Sequence, residues 1–199
     1  MTVTSRRDRL GATDGNEILT SATAAVLVVL LIAEGVTVVR MRGLVKVHMF
    51  VGMVLIPPIL LKLGSTGYRF VRYYTHARAY REKGPPLLPL RVLAPLLIVT
   101  TVMLFVTGVL LMIAGHKSDQ LLLLHKVSFI VWVVAFGLHF LAYLPRVVRS
   151  LRADWTSARR EDVPGSGVRA LLLAASLGAG TALALSLLST MNAWHAHRF

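Results

Sequence analysis

The chain reads as an all-α polytopic membrane protein, a bundle of five transmembrane helices, and three observations lead there. Five apolar stretches are each long enough to cross a bilayer, which takes roughly 20 helical residues for about 30 Å of hydrocarbon. Over 199 residues, apolar side chains make up 55% and charged ones only 16%, with a mean hydropathy of +0.67; a soluble domain carries about 25% charge. In lipid, backbone polar groups must be satisfied within a segment, so long apolar runs become helices and not open strands. The pattern excludes a soluble enzyme, a disordered chain, a coiled coil and a β-barrel.

Residues 1–17 are polar, with Arg6, Arg7 and Arg9, and precede the bundle as a cytoplasmic segment. Ser5-Arg6-Arg7 is faintly similar to a twin-arginine export signal. No small-residue cleavage site follows the first apolar run convincingly, so helix one, about 18–39, is expected to stay uncleaved. Helix two covers about 44–64 and contains Pro57-Pro58. Gly84-Pro85-Pro86 and Pro89 then interrupt the chain before helix three, about 91–114. Helix four spans about 120–144 and helix five about 168–191, leaving 192–199 as an outer tail. No soluble domain fits between these spans, so 18–191 is one bundle. In helix five, Ala170, Ala174, Gly178, Ala182 and Ser186 form a small-residue stripe that permits close approach, most simply to another helix of this chain and alternatively to a second copy.

The formal charge of +13 would suggest nucleic acid in a soluble protein. Here the cations sit between apolar runs, beside anionic lipid, so the lipid bilayer is their expected partner and nucleic acid is not. Five spans put the termini on opposite sides. The N-terminal segment, residues 65–91 and residues 145–169 carry three, six and six Lys/Arg; Arg40, Arg42, Lys46, Lys117, Lys126 and Arg198 lie on the other side. That bias places the N-terminus and both longer loops in the cytoplasm and the C-terminus outside a plasma (inner) membrane. The run Tyr68-Arg69-Phe70-Val71-Arg72-Tyr73-Tyr74 combines rings and cations as an interfacial anchor needs.

Zero cysteines remove disulfides, thiolate metal sites, iron–sulfur clusters and covalent c-type haem attachment. No G-x-G-x-x-G or G-x-x-x-x-G-K-[ST] occurs, so nothing indicates a built-in nucleotide or flavin module.

Ionisable groups inside spans are costly and are functional candidates by default. His48 lies one turn into helix two and His125 one turn into helix four, each from the outer end. These helices run parallel, so both imidazoles stand at one depth. Two facing imidazoles at one level can fill both axial positions of a haem iron. His139 follows His125 by fourteen residues, about 1400° of rotation and about 21 Å of rise, so the two share a face. That separation suits two stacked porphyrins, with Ser128, Trp132, Ala135 and Phe136 on or near the strip between them. Lys62 follows His48 by the same interval, at the depth of His139. Gly52, one turn below His48, leaves room for a flat macrocycle, although glycine also serves plain helix packing.

The spacing His125-x13-His139, with His48 at matching depth on a second helix, resembles the ferric-reductase-like and bacterial di-haem cytochrome b membrane domains over roughly residues 44–145. The resemblance implies two b haems between two helices, one per leaflet, moving electrons across the membrane. It implies His48 and His125 as the axial pair of the outer haem and His139 as one axial ligand of the inner haem. The partner position is Lys62, where the family pattern has histidine; one haem b is therefore expected and a second stays open.

Lys62 has three readings: an amine that snorkels to the interface, an iron ligand made neutral by burial, or a partner of a haem propionate. Arg42, Lys46 and Lys126 surround the outer level, and Arg69, Arg72 and Arg146 the inner one. Cations there suit propionates, yet positive helix ends are expected regardless. Glu34, in the outer third of helix one, is expected to pair with Arg40 or Arg42. His116, His195 and His197 fall on the outer side as a weak metal site or as solvated residues, and His76 is a loop surface residue.

Two functions follow. The first is a b-type cytochrome passing electrons from a membrane or cytoplasmic donor, a quinol or a redox partner protein, to an outer acceptor. The second is a non-haem membrane scaffold or assembly protein or a small transporter, in which Pro57-Pro58 and a break at Gly64-Ser65-Thr66-Gly67 shape a cavity.

Overall fold

The computed structural model describes residues 3–82, 88–114, 118–155 and 165–196, with side chains over 14–81, 91–114, 118–144 and 165–194. Seven helices follow one another: α1 (Val3–Val39), α2 (Met41–Tyr74), α3 (Arg78–Glu82), α4 (Leu88–Ala114), α5 (Asp119–Trp155), α6 (Ser166–Ser186) and α7 (Leu188–Ala196). Five segments are long and apolar enough to cross a membrane: Asp14–Val39, Met41–Tyr74, Arg91–Ala114, Asp119–Leu144 and Ser166–Ser186. The protein is a multi-pass helical membrane bundle. Its turn side carries the α1–α2 turn, the ends of α4 and α5 at Ala114 and Asp119, and α7; its loop side carries the C-terminal end of α2 and the N-terminal ends of α4 and α6.

Several helices outrun their sequence boundaries. The expected break at Gly64–Gly67 is absent, and α2 continues to Tyr74. Contacts from α1 hold the backbone helical there: Asn16 Nδ2 donates to Ser65 O at 3.1 Å and Thr20 Oγ1 to Ser65 Oγ at 3.0 Å. The end at Tyr74 has a chemical reason. Ala77 N donates to Arg72 O and His76 N to Tyr73 O, the paired bonds of a Schellman cap. His76 itself takes φ 63°, the left-handed position that glycine usually fills. The turn side is tighter: Gly43 N and Leu44 N both donate to Arg40 O. Leu44 is non-helical at φ −121°, so the regular part of α2 starts where the sequence reading put it.

Pro57 and Pro58 lie inside α2 without ending it. Each lacks the N–H that would serve the carbonyl four residues back, which frees Met53 O and Val54 O. The bundle answers with α6. Gly180 rests directly on the Val54 carbonyl, so close that an added Cβ would lie 3.1 Å from Val54 Cα and closer still to the oxygen. Neighbouring helices commonly accommodate proline in membrane spans in this way.

That contact corrects the small-residue stripe. Ala170, Ala174, Gly178, Ala182 and Ser186 all face outward, while Ser176, Gly180 and Ala184 are buried. Helix five also stops at Ser186 rather than continuing to 191, with a turn at Leu187 before α7. There Trp194 Nε1 donates to Leu111 O at 3.2 Å, one of the last four carbonyls of α4, which have no helical donor.

The helix α2 is central: α1 and α6 pack along it, α4 and α5 form their own hairpin, and α7 closes against α2 and α4. A core of Met53, Met112, Ala184 and Met191, flanked by Met49, Phe50, Val54 and Val109, fills the turn-side half. Close backbone approach between α2 and α5 is scarce, and their meeting is made by side chains.

Candidate functional site

The turn-side meeting of α2 and α5 is made by His48 and His125. Their ring centroids lie 6.4 Å apart, with the planes at 79°. Each ring is oriented by the other helix of its own hairpin.

On the first hairpin, Glu34 Oε1 lies 2.9 Å from His48 Nδ1, and Thr37 Oγ1 lies 3.2 Å from the same nitrogen. Thr37 turns its hydroxyl hydrogen toward Glu34, whose backbone oxygen is 2.6 Å away and whose Oε2 is 3.2 Å away. Both oxygens facing His48 are therefore acceptors, so the imidazole carries its hydrogen on Nδ1. Glu34 does not pair with Arg40 or Arg42 as the sequence suggested; the α1–α2 turn brings it opposite His48 instead. Both partners are largely shielded, with side chains 15% and 21% exposed.

On the second hairpin, Thr107 Oγ1 lies 3.0 Å from His125 Nδ1. Thr107 donates its own hydrogen to Met103 O at 2.6 Å, so it too receives a hydrogen from the imidazole. Gly108 makes the fit possible: a Cβ there would meet His125 Cε1 at 3.1 Å. In both rings Nδ1 is engaged and Nε2 is left as the bare lone pair, the arrangement that orients a metal-ligating histidine.

A metal held between two such nitrogens at roughly 2 Å each sets the ring centroids on the order of 6 Å apart. The observed 6.4 Å fits that span. The residues present therefore suit a bis-imidazole iron, which needs only two protein ligands. Among the described residues no group of three or more His, Asp and Glu is arranged to hold a bare metal ion.

Other sequence candidates behave differently. Gly52 does open space beside His48, but the Glu34 carboxylate takes it, at 3.5 Å from where a Cβ would stand. Arg42 and Lys126 are both exposed near the pair, and Arg42 lines an open depression with Val39 to Leu44. At the opposite level, Lys62 does not snorkel outward; its Nζ donates to Thr20 O on α1 at 2.8 Å. The ring of His139 lies 4.7 Å from that of Tyr143, at 33°, and its Nδ1 is buried without a hydrogen-bond partner among the described residues. No hydrogen bond joins Lys62 to His139 among the described residues. Between the two levels, Trp132 stacks on Phe136 at 4.8 Å and Phe136 on Phe140 at 5.9 Å. Trp132 Nε1 is anchored on Thr101 Oγ1 at 2.9 Å. The side chains of Arg146, His116, His195 and His197 lie outside the described residues.

Sequence reasoning missed Thr37, Thr107 and Gly108 and gave Glu34 the wrong partner. The signal was present in the hairpin register. Thr37 and His48 are nearly equidistant from the turn at Arg40–Gly43, and Thr107 and His125 from the connection after Ala114. Compared with protein-family models, curated proteins and solved structures, the chain matches none.

Proposed function

We propose that this protein is a membrane b-type cytochrome with one haem held between α2 and α5 by His48 and His125. The observation that carries the reading is the pair of imidazoles 6.4 Å apart, each with Nδ1 engaged by its own hairpin. When bound, the haem supplies a one-electron Fe(III)/Fe(II) couple. The protein contributes everything else. Thr107 and Gly108 set the ring of His125, while Thr37 and Glu34 set that of His48. The Glu34 carboxylate fixes the orientation and tautomer of His48. Arg42 and Lys126 supply cations for the propionates.

One haem is proposed and not two, because Lys62 is directed at Thr20 O and leaves His139 without an axial partner. The proposed orientation puts the arginine-rich loop side in the cytoplasm and the histidine pair toward the outer face. Electrons then run between a quinol or redox protein and an outer acceptor, since the chain carries no flavin or nucleotide motif. The likeness to ferric-reductase-like and di-haem cytochrome b domains supports this reading through His48 and His125, which stand at one level on two parallel helices.

The test is a reduced-minus-oxidised visible spectrum of detergent-purified protein, with haem per chain counted as the pyridine haemochrome. The expected result is one haem, lost in His48→Ala and His125→Ala and retained in His139→Ala. No haem after expression with ample haem supply would sink the proposal.

A second reading is favoured by one observation: Glu34 and the Nδ1 of His48 partner each other without any cofactor. On that reading the protein is a membrane scaffold and the histidines pack. Its mark is a haem-free protein whose partner-binding survives His125→Ala.

A further inference from the structure

The C-terminal end of α2 rises out of the membrane, and two hydrogen bonds fix where it leaves. Asn16 Nδ2 donates to Ser65 O at 3.1 Å and Thr20 Oγ1 to Ser65 Oγ at 3.0 Å, so Ser65 stands level with residues 16–20 of α1. On α1 that level is the edge of the apolar run: Asp14, Asn16 and Glu17 precede it and Ile18 begins it. Carboxylates are costly inside hydrocarbon, so the hydrocarbon boundary lies here. The helix α2 stays regular to Tyr74, nine residues beyond Ser65 and about 13 Å further along the axis. A headgroup layer takes up only about 5–8 Å on each side of a bilayer. Tyr68 and Arg69 stand within that layer and Phe70 at its outer limit. Arg72, Tyr73 and Tyr74 stand beyond it.

This projecting end is apolar and cationic at once. Phe70 and Tyr74 share one stripe of the helix, with ring centroids 4.6 Å apart, and the ring of Tyr73 lies 5.2 Å from that of Tyr74. Phe70, Val71 and Tyr74 are 63%, 55% and 57% exposed. Arg69 stands one turn below Tyr73 on a neighbouring stripe. Arg69 and Arg72 are both exposed, and among the described residues no carboxylate pairs with either guanidinium. The side toward α3 is closed instead, where Tyr80 is buried and its ring meets that of Tyr68 at 6.1 Å. The backbone bonds of His76 and Ala77 to Tyr73 and Arg72 hold the last turn in place, so the surface is already ordered before anything binds, which lowers the cost of binding.

Height and charge together indicate the occupant. Exposed apolar patches in water mark interaction sites, and aromatic residues with arginine are the types enriched where proteins meet. At the height of Tyr73 and Tyr74 the headgroups no longer cover the rings. Two unpaired guanidinium groups beside a ring cluster are complementary to carboxylates set around an apolar centre.

We propose that Arg69, Phe70, Arg72, Tyr73 and Tyr74 form a docking surface for a soluble protein that presents carboxylates around an apolar patch. Phe70 and Tyr74 seat in that patch, and Arg69 and Arg72 pair with the carboxylates at its rim. The inference is independent of haem, since Tyr73 stands twenty-five residues beyond His48, about 37 Å along α2.

Two measurements on the full chain test it. The protein has no cysteine, so Tyr74→Cys accepts a single nitroxide label, read in bilayers containing phosphatidylglycerol. Collisions of that label with a water-soluble nickel chelate are expected to exceed its collisions with oxygen, the reverse of Leu60→Cys inside the span. A Tyr74→Cys label that meets oxygen more often would lay this end of α2 on the lipid surface and overturn the proposal. In the second measurement, benzoylphenylalanine replaces Phe70 in the host's own cells and is expected to crosslink a soluble protein on illumination. That protein is then purified and titrated against the wild-type chain in phosphatidylcholine bilayers. Its affinity is expected to fall about tenfold or more in Arg69→Glu/Arg72→Glu and in Phe70→Ala, and to weaken with rising salt. Arg40→Glu, at the opposite end of α2, should leave it unchanged. Crosslinks to lipid alone, no crosslink at all, or a captured protein indifferent to the charge reversal would each overturn the proposal.

Discussion

Gly180 of α6 rests on the Val54 carbonyl of α2, the oxygen that Pro58 leaves without a helical donor. A proline placed in the middle of a span thereby selects which face of another helix docks against it. Gly180→Ala is expected to cost about 1–3 kcal/mol, the usual range for overpacking a close contact, because the methyl meets backbone that cannot rotate away. Gly178→Ala, on the outward face, is expected to leave stability unchanged. Thermal unfolding of both variants in one detergent compares them, and equal melting temperatures would contradict the packing described.

The Glu34 carboxylate places a negative charge on His48 Nδ1. On the cytochrome reading that charge favours the ferric state, so Glu34→Gln should raise the haem midpoint potential. A tenfold change in the redox equilibrium corresponds to about 59 mV for one electron, and a shift of that order is expected. Potentiometric titration of the purified protein reads it directly. An unchanged potential with haem retained would show that Glu34 does not act through His48.

Gly108 and Thr107 together set the ring of His125. On the cytochrome reading, Gly108→Val displaces the ring and is expected to reduce haem occupancy, counted as haemochrome per chain. Thr107→Val removes the acceptor for Nδ1–H and leaves a buried donor unsatisfied, which costs about 1–3 kcal/mol. Nitrogen-15 spectra of histidine-labelled, haem-free protein should show His125 shifting its tautomer balance in Thr107→Val. A tautomer unaffected by that change would mean the hydroxyl does not orient the ring.

Trp194 caps a free carbonyl of α4 with its indole N–H. Trp194→Phe keeps the ring and removes that hydrogen bond, for an expected loss of about 1 kcal/mol. The effect should be local. Hydrogen exchange is expected to quicken over 188–196 and the last turn of α4, while the α1–α2 hairpin stays as it was.

The spans were legible because hydropathy and length act along the chain. The matched depth of His48 and His125 was legible because parallel helices share one rise per residue. The partners were harder to read, because they depend on rotation about the helix axes. Glu34 was expected to reach Arg40 or Arg42, but the turn at Arg40–Gly43 directs it to His48 instead. Helix five carried two small-residue stripes, and which of them packs was decided by proline chemistry in another helix. Gly64–Gly67 looked like a helix break because glycine is a poor helix former, but contacts from Asn16 and Thr20 overrode the local preference. Lys62 was open among three readings in the sequence, and the acceptor it has is a backbone oxygen that no side-chain pattern reveals.

The two imidazoles belong to different hairpins, and each hairpin orients its own ring before it meets the other. During biogenesis α1–α2 can enter the bilayer with His48 already bridged to Glu34, and α4–α5 can follow with His125 seated on Thr107. On the cytochrome reading neither insertion event needs the haem, yet its binding needs both to have succeeded. Haem capture would then act as a checkpoint late in assembly, and a chain with one hairpin misplaced would stay colourless however well its remaining helices had inserted.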